Sequence, residues 1–359
     1  MSVRVALLGP SRHPVAEPFA GGQEAHVATL SRALREHGCH VVLHAAPGSD
    51  PGLADELVVH PELPDLSPVA RLDPHLPEPR FLCDQHAFLS VLRDLLTRSD
   101  IDVVHNSSLH HLPLVASSAV DRPLVTTLHT PPFPWMELGV SLADPRSRFV
   151  AVSADLASRW TVLREEPRVI YNGVDPSAFR LGPGGGDLVW LGRLVREKGA
   201  DLAVLAARAA ARPLRIIGPI SDRDWFDAVL SPLLGDQVTY EGHLDHDTAA
   251  RAVGESGALL VTPRWDEPFG LVAVEAALTG TPVVAIGRGG LPEVVDAAMG
   301  VVVEPEPDGV ALVRSLAVAV ERALSLPRED VRATASSRFG AGRMAADYMG
   351  LYREAIDAW

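Results

Sequence analysis

At 359 residues, with 47% apolar and 22% charged side chains, the chain has room for two ordinary domains, each with its own core. A formal net charge of −14 excludes nucleic acid as a partner, because phosphate neutralisation needs clustered cations, and no basic amphipathic helix is present to dock on an anionic membrane. No apolar run is long enough to span a bilayer, the start M-S-V-R-V-A-L-L-G-P reads as a strand rather than a signal peptide, and Cys39 and Cys83 are too few for a disulfide framework or a zinc site, so a cytoplasmic location is expected.

In chain order, residues 3–9 read as a buried parallel strand, followed by a proline-bearing loop ending in Gly21-Gly22-Gln23-Glu24 and an amphipathic helix running to Gly38. Residues 40–46 form the next strand and complete a βαβ unit. Gly21-Gly22 serves either as a tight turn or as a close backbone approach for an anion at a helix start. Residues 47–79, rich in proline and acidic residues, read as irregular chain or short strands, and residues 81–97 as a helix. Strands follow at 103–105 and 124–129, then the loop His129-Thr130-Pro131-Pro132-Phe133-Pro134-Trp135. Three prolines stiffen that loop, and Phe133 and Trp135 either stack on an acceptor or fill the domain core. A strand at 149–153, a helix at 154–163 and a strand at 169–171 close the first domain. His105, His110, His111 and His129 lack the i, i+4 pairing of a helical zinc site, so no metal is expected. His129, at a strand end on the carboxyl edge of a parallel sheet, is either a structural histidine or a ligand contact.

Asn172-Gly173-Val174-Asp175 and the run Gly182-Pro183-Gly184-Gly185-Gly186 mark a boundary, with the glycines expected to form a flexible hinge. The expected division is 1–171, a linker at 172–186, a second domain at 187–337, and a terminal helix within 338–359 that returns to the first domain. Strand–helix alternation restarts at 188–191 and continues to 291–295, as a second doubly wound sheet requires. Of 32 basic residues, 31 are arginine, and Lys198 is the sole lysine. It is retained either by chance or because its position needs a compact ammonium, and it shares the loop 192–199 with Arg193. Asp222-Arg223-Asp224 follows a proline turn and is read as solvated.

The segment P-R-W-D-E-P-F-G-L-V-A-V-E-A-A-L-T-G-T-P carries two carboxylates in an apolar helical pattern. Pro268 is expected at the first helical position, Glu267 just before it, and Glu275 eight residues on, about two turns away and on roughly the same side. Either these are a helix-start acid and a surface glutamate, or they are buried carboxylates that need hydroxyl partners.

The spacing E-P-F-G-x-x-x-x-E resembles the double-glutamate signature of family 4 retaining glycosyltransferases, whose GT-B fold has two Rossmann-like doubly wound domains facing across a cleft. The other matching elements are G-G-x-E, the strand-end histidine, N-G-V-D, and G-R-x-x-x-x-K-G, so the resemblance covers nearly the whole chain. The resemblance implies transfer from a nucleotide-diphosphate sugar (a UDP-sugar by family frequency) to a small polar or natural-product-like acceptor. It implies no cofactor and no metal. Within it, Arg193 and Lys198 neutralise the leaving diphosphate, Glu275 holds the ribose, and Glu267 with the Phe269, Gly270 and Leu271 amides orients the sugar. Gly22 faces the diphosphate, Gly242, His243 and Leu244 meet the base, and His129 lies against the donor sugar. Phe133 and Trp135 are the acceptor candidates. The acidic balance of residues 1–171, 14 Arg against 20 Asp and Glu, disfavours a phosphorylated acceptor. A nucleotide-sugar epimerase of the same fold and a non-catalytic donor-binding protein are the alternatives.

Overall fold

The computed structural model describes residues 2–359. The chain forms two units. The first comprises residues up to Val152, Leu156–Gly173 and Gly342–Trp359; the second comprises Ser153–Asp155 and Val174–Ala341. Cys39 and Cys83 are both free.

The strands of the first unit are β1 (Arg4–Leu8), β2 (His40–Ala45), β3 (Glu56–Val59), β4 (Val103–Asn106), β5 (Leu124–Leu128), β6 (Arg148–Ala151) and β7 (Arg168–Val169). They pair in the order β3-β2-β1-β4-β5-β6-β7, all parallel. In β1 the side chains of Val5, Ala6, Leu7 and Leu8 are fully buried, which is what a parallel strand covered on both faces requires and why it reads as a continuous apolar run. The winding of the chain reverses between β1 and β4, the switch point at whose carboxyl end open α/β sheets bind ligands.

The second unit repeats the design with β8 (Leu188–Leu191), β9 (Leu214–Ile217), β10 (Val238–Tyr240), β11 (Ala258–Val261), β12 (Val283–Ile286) and β13 (Gly300–Val303), in the order β10-β9-β8-β11-β12-β13. Its switch point lies between β8 and β11, with Leu259 in register with Val189. Leu188, Trp190, Ile216, Leu260, Val284 and Leu316 belong to one core that the helices Ala200–Ala209 and Gly309–Ala323 cover.

Two local expectations change, and two are made specific. Of the two readings of residues 47–79, the short strand is present as β3, which extends the sheet, and two single turns lie at Pro51–Leu53 and Ala70–Leu72. The 129–135 segment is not all loop, because Pro134 starts a helix, Pro134–Leu142; its missing N–H costs nothing there and its fixed φ suits the first turn. The glycine run is no free hinge. Gly182 N donates to Thr279 O (2.9 Å) and Gly184 N to Gly254 O (3.0 Å), while a Cβ on Gly182 or Gly185 would collide with the Gly254 or Glu255 carbonyl. Arg328 fastens the run, its guanidinium donating to Gly182 O, Ser256 O, Gly254 O and Thr279 O. Finally, the chain leaves the first unit after Gly173 and rejoins it at Gly342. The helix Ala341–Asp357 brings Tyr348 and Tyr352, both fully buried, into the first unit's core.

Candidate functional site

In the second unit, three loops meet at the carboxyl ends of β8, β11 and β12. The loop after β8 tightens into the turn Arg196–Lys198 and reaches Gly199, whose φ of +69° places it in the left-handed region. A Cβ at Gly199 would also strike the Thr262 carbonyl, and Thr262 Oγ1 donates to Gly199 O (2.8 Å), so this loop lies directly on the one after β11. Arg264 laces them further: its backbone N–H donates to Glu197 O (2.7 Å), and its guanidinium forks onto Asp201 (2.6 and 2.6 Å).

The lacing brings Lys198 to Glu267, with Nζ 2.6 Å from Oε2. The same carboxylate oxygen accepts from Trp265 Nε1 (3.0 Å), and Nζ stands 5.0 Å from the Trp265 ring centroid. The third loop supports this arrangement from below. Gly290 N donates to Glu267 O (2.8 Å), and Gly289, at φ +63°, lies so close to the Glu267 backbone that a Cβ would collide with it. Arg193 extends into solvent, 49% exposed, with Glu197 at 3.7 Å as its ion-pair partner. An ammonium and an exposed guanidinium on one loop at the switch point of a parallel sheet are suited to a polyanion.

The two glutamates occupy different places. Pro268 is not the first helical residue: the helix is Leu271–Leu278, entered through Gly270 at φ +90°. Glu267 therefore lies outside the helix, and the helical spacing does not align it with Glu275. The Phe269 side chain is buried edge-on against Phe339 (5.7 Å), so only its backbone is available to a ligand. Leu271 opens the helix, and by geometry its first N–H groups lack intrahelical acceptors. Glu275 lies in the wall of a small pocket with Phe179, Leu191, His246 and Val253. Burial raises its carboxyl above the ordinary value of 4.5, and the nearby His246 partly offsets this. A carboxylate so placed gains from hydroxyl donors. Gly242 sits at φ +83° after β10, its carbonyl accepting from Gly218 N (2.8 Å); His243 is exposed and Leu244 half-buried.

In the first unit, Gly22 opens the helix Gly22–Glu36 with Gly21 as an extended cap. The Glu24 carboxylate folds back on the Gly21 and Glu24 amides, and burial raises its pKa. His129 directly follows β5. Its Nε2 is 2.8 Å from Ser107 Oγ and its ring meets His26 edge-on at 4.7 Å. Burial, together with His26 and His105, pushes the His129 pKa well below 6.5, so the imidazole is neutral at pH 7. His105 is structural: Nδ1 is 2.6 Å from Tyr352 Oη and Nε2 2.7 Å from Thr127 Oγ1, which in turn is 2.8 Å from Tyr348 Oη. Trp135 is 52% exposed and stacks on His111 (5.2 Å), so the core alternative fails for it; Phe133 is half-buried and caps the helix. Among the described residues no group of three or more His, Cys, Asp or Glu side chains is arranged to hold a metal, and no helix is long and apolar enough to cross a membrane.

Trp265, Arg264, Gly289, His26 and His246 were not singled out from the sequence for these places. Only Trp265 left a local signal, an indole two residues before a carboxylate in a polar turn.

The model for Glycosyltransferase Family 4 matches residues 20–178, and that for Glycosyl transferases group 1 matches residues 180–337. Among similar proteins, glycogen synthase of Mycobacterium tuberculosis is 29% identical over 381 residues, covering 91% of this chain and 87% of the relative. D-inositol 3-phosphate glycosyltransferase 1 of Catenulispora acidiphila is 30% identical over 371 residues, covering 84% of each. The crystal structure of Anabaena HepE in complex with UDP and glucose superposes with a TM-score of 0.73 at 18% identity, covering 98% of this chain and 100% of that one, which is a likeness of fold. With two GT-B-type parallel sheets, matches along 20–178 and 180–337 and relatives aligned over most of their length, the chain belongs to the family 4 glycosyltransferases.

Proposed function

We propose that this glycosyltransferase is a retaining enzyme that moves a sugar from a nucleotide-diphosphate sugar, foremost a UDP-sugar, to a small polar or natural-product-like acceptor, in the cytoplasm and without a metal. The observation that carries the reading is the Lys198–Glu267–Trp265 cluster at the β8/β11 switch point, with Arg193 on the same loop. Cleaving the anomeric C–O bond builds positive character on the sugar and negative charge on the departing diphosphate. Arg193 and Lys198 would neutralise that charge, and Gly22 would offer an amide to it. Glu267 and the Phe269, Gly270 and Leu271 amides would orient the sugar hydroxyls. Glu275, its carboxyl pKa raised by burial in a small pocket wall, would accept from the ribose diol, with Gly242, His243 and Leu244 at the base. His129, neutral and bonded to Ser107, would accept from or donate to a sugar hydroxyl rather than act as a cation.

In the transfer step the acceptor oxygen forms its bond to the anomeric carbon on the face the diphosphate leaves. The electron pair of the broken bond goes to the diphosphate, whose oxygen takes the acceptor's proton. UDP as the nucleotide is supported by the HepE complex, a protein of the same fold.

A panel of nucleotide-sugars scored by thermal shift, with and without EDTA, tests the donor, since a ligand that binds only the folded state stabilises it by mass action. Transfer is then followed by NMR at the anomeric centre. Inversion at that centre, loss of activity with EDTA, or an epimerised donor released without any acceptor would each overturn the corresponding part of the reading.

A further inference from the structure

In the first unit, side chains from three separate elements form one continuous ring stack. Phe88, fully buried on the helix Pro79–Thr97, lies face to face with His110 (4.1 Å, 13° between planes). His110 lies on His111 (4.6 Å, 21°), and His111 on Trp135 (5.2 Å, 26°). Phe81 borders the far end, tilted 43° from Trp135 at 6.0 Å. The stack is anchored in the core at Phe88 and ends in an indole that is 52% exposed. His110 and His111 follow the carboxyl end of β4 and Trp135 that of β5, the edge of a parallel sheet where ligands bind.

The polar groups alongside define what the open indole face suits. His110 Nδ1 accepts from Leu112 N (3.2 Å), and its Nε2 lies 3.3 Å from Gln85 Nε2. Burial pushes the His110 pKa down to about 3 and lowers that of His111, so both rings stack as neutral imidazoles and add no cation. Asp84, one helical turn after Phe81, holds its carboxylate ready-oriented by Ser11 Oγ (2.7 Å) and Arg80 (3.4 Å).

We propose that the exposed face of Trp135 is the acceptor subsite, and that it takes a neutral, hydroxylated pyranose ring. A pyranose presents an apolar C–H face to an indole while its equatorial hydroxyls point outward, toward acceptors such as carboxylates. A phosphorylated sugar would meet the acidic balance of residues 1–171, 14 Arg against 20 Asp and Glu. A fully apolar aglycone would leave the polar rim without partners. The inner rings fix the indole before the ligand arrives, which limits the ordering cost of binding. Phe133, outside the stack, caps the helix and is not part of this subsite.

The proposal rests on the glycosyl-transfer reading, so its test is a binding measurement that needs no turnover. Ligand-observed NMR on the full chain, with and without UDP, uses three probe sets: neutral methyl pyranosides and disaccharides, the matching sugar phosphates, and 2-naphthol as a flat aromatic. At least one neutral sugar is expected to bind the wild type. Trp135→Ala is expected to weaken that sugar at least tenfold, and Trp135→Phe to restore part of the affinity. Because the indole is exposed, a matched circular-dichroism melt is expected for both variants. No binding by any neutral sugar, full binding in Trp135→Ala, or preference for the sugar phosphates or 2-naphthol overturns the proposal. UDP binding is scored on the same samples, so its absence in the wild type counts against the donor reading while the sugar titration still decides this one.

Discussion

Lys198 and Glu267 give the sharpest quantitative expectation. Their side chains are 22% and 15% exposed, between the surface pairs that contribute little and the buried pairs whose disruption costs most. At 2.6 Å the gross attraction is about 6 kcal/mol at an effective dielectric of about 20, most of it offset by desolvation. Lys198→Ala leaves Glu267 with the Trp265 indole as its side-chain donor and should cost about 2 kcal/mol of stability. If the ammonium also meets the diphosphate, losing one charge-assisted hydrogen bond should weaken UDP by about 30-fold, or about 2 kcal/mol. Glu267→Gln provides the contrast. It removes a negative charge next to the incoming diphosphate and frees Lys198, so UDP affinity should hold or rise while transfer falls. Lys198→Arg keeps the charge but cannot place a compact ammonium against both Glu267 and the Trp265 ring, and should lose transfer. Calorimetry with UDP and urea denaturation measure the two quantities. A UDP dissociation constant in Lys198→Ala within twofold of wild type, or identical behaviour of Lys198→Ala and Glu267→Gln, would refute the reasoning.

Glu275→Gln should weaken UDP by about tenfold through the ribose, yet raise the melting temperature of the ligand-free protein at pH 7. The folded carboxyl is raised above 4.5, so the folded state holds that proton more tightly than the unfolded one. Stability is therefore lost as pH rises from the unfolded value through the folded one, and the amide removes that loss; a lower melting temperature at pH 7 would contradict it. Gly199→Ala should cost about 3 kcal/mol in denaturation, from the φ of +69° and the collision with Thr262 O, and an unchanged midpoint would show that the loop shifts freely. Tyr352→Phe should cost about 1–3 kcal/mol, because it strips the buried His105 Nδ1 of its partner; an unaltered thermal melt would mean that another donor or acceptor takes its place.

Much of the fold could be read from local pattern because its physics is local. Strands such as β1 and β12 are buried on both faces and so read as unbroken apolar runs between turn residues. The motif E-P-F-G-x-x-x-x-E and the sole lysine lie on two loops whose glycines, Gly270 and Gly199, enter a helix and close a turn at positive φ, a local need that shows in the sequence whatever packs around it. Composition, by contrast, did not distinguish two uses of glycine. The run 182–186 looks like a flexible tether, yet its glycines serve close backbone approach to Gly254 and Glu255, a requirement set by residues some 70 positions away. Three prolines made 129–135 look like loop, although the last of them opens a helix. The pairing of Lys198 with Glu267 and Trp265, the support of Glu267 by Gly289 and Gly290, and the stack from Phe88 to Trp135 join segments far apart in sequence. The sequence alone determined which strands would be buried and which loops would carry charge. Only the tertiary structure decided which of those loops meet, because periodicity records which face a residue presents and not what the fold brings against it.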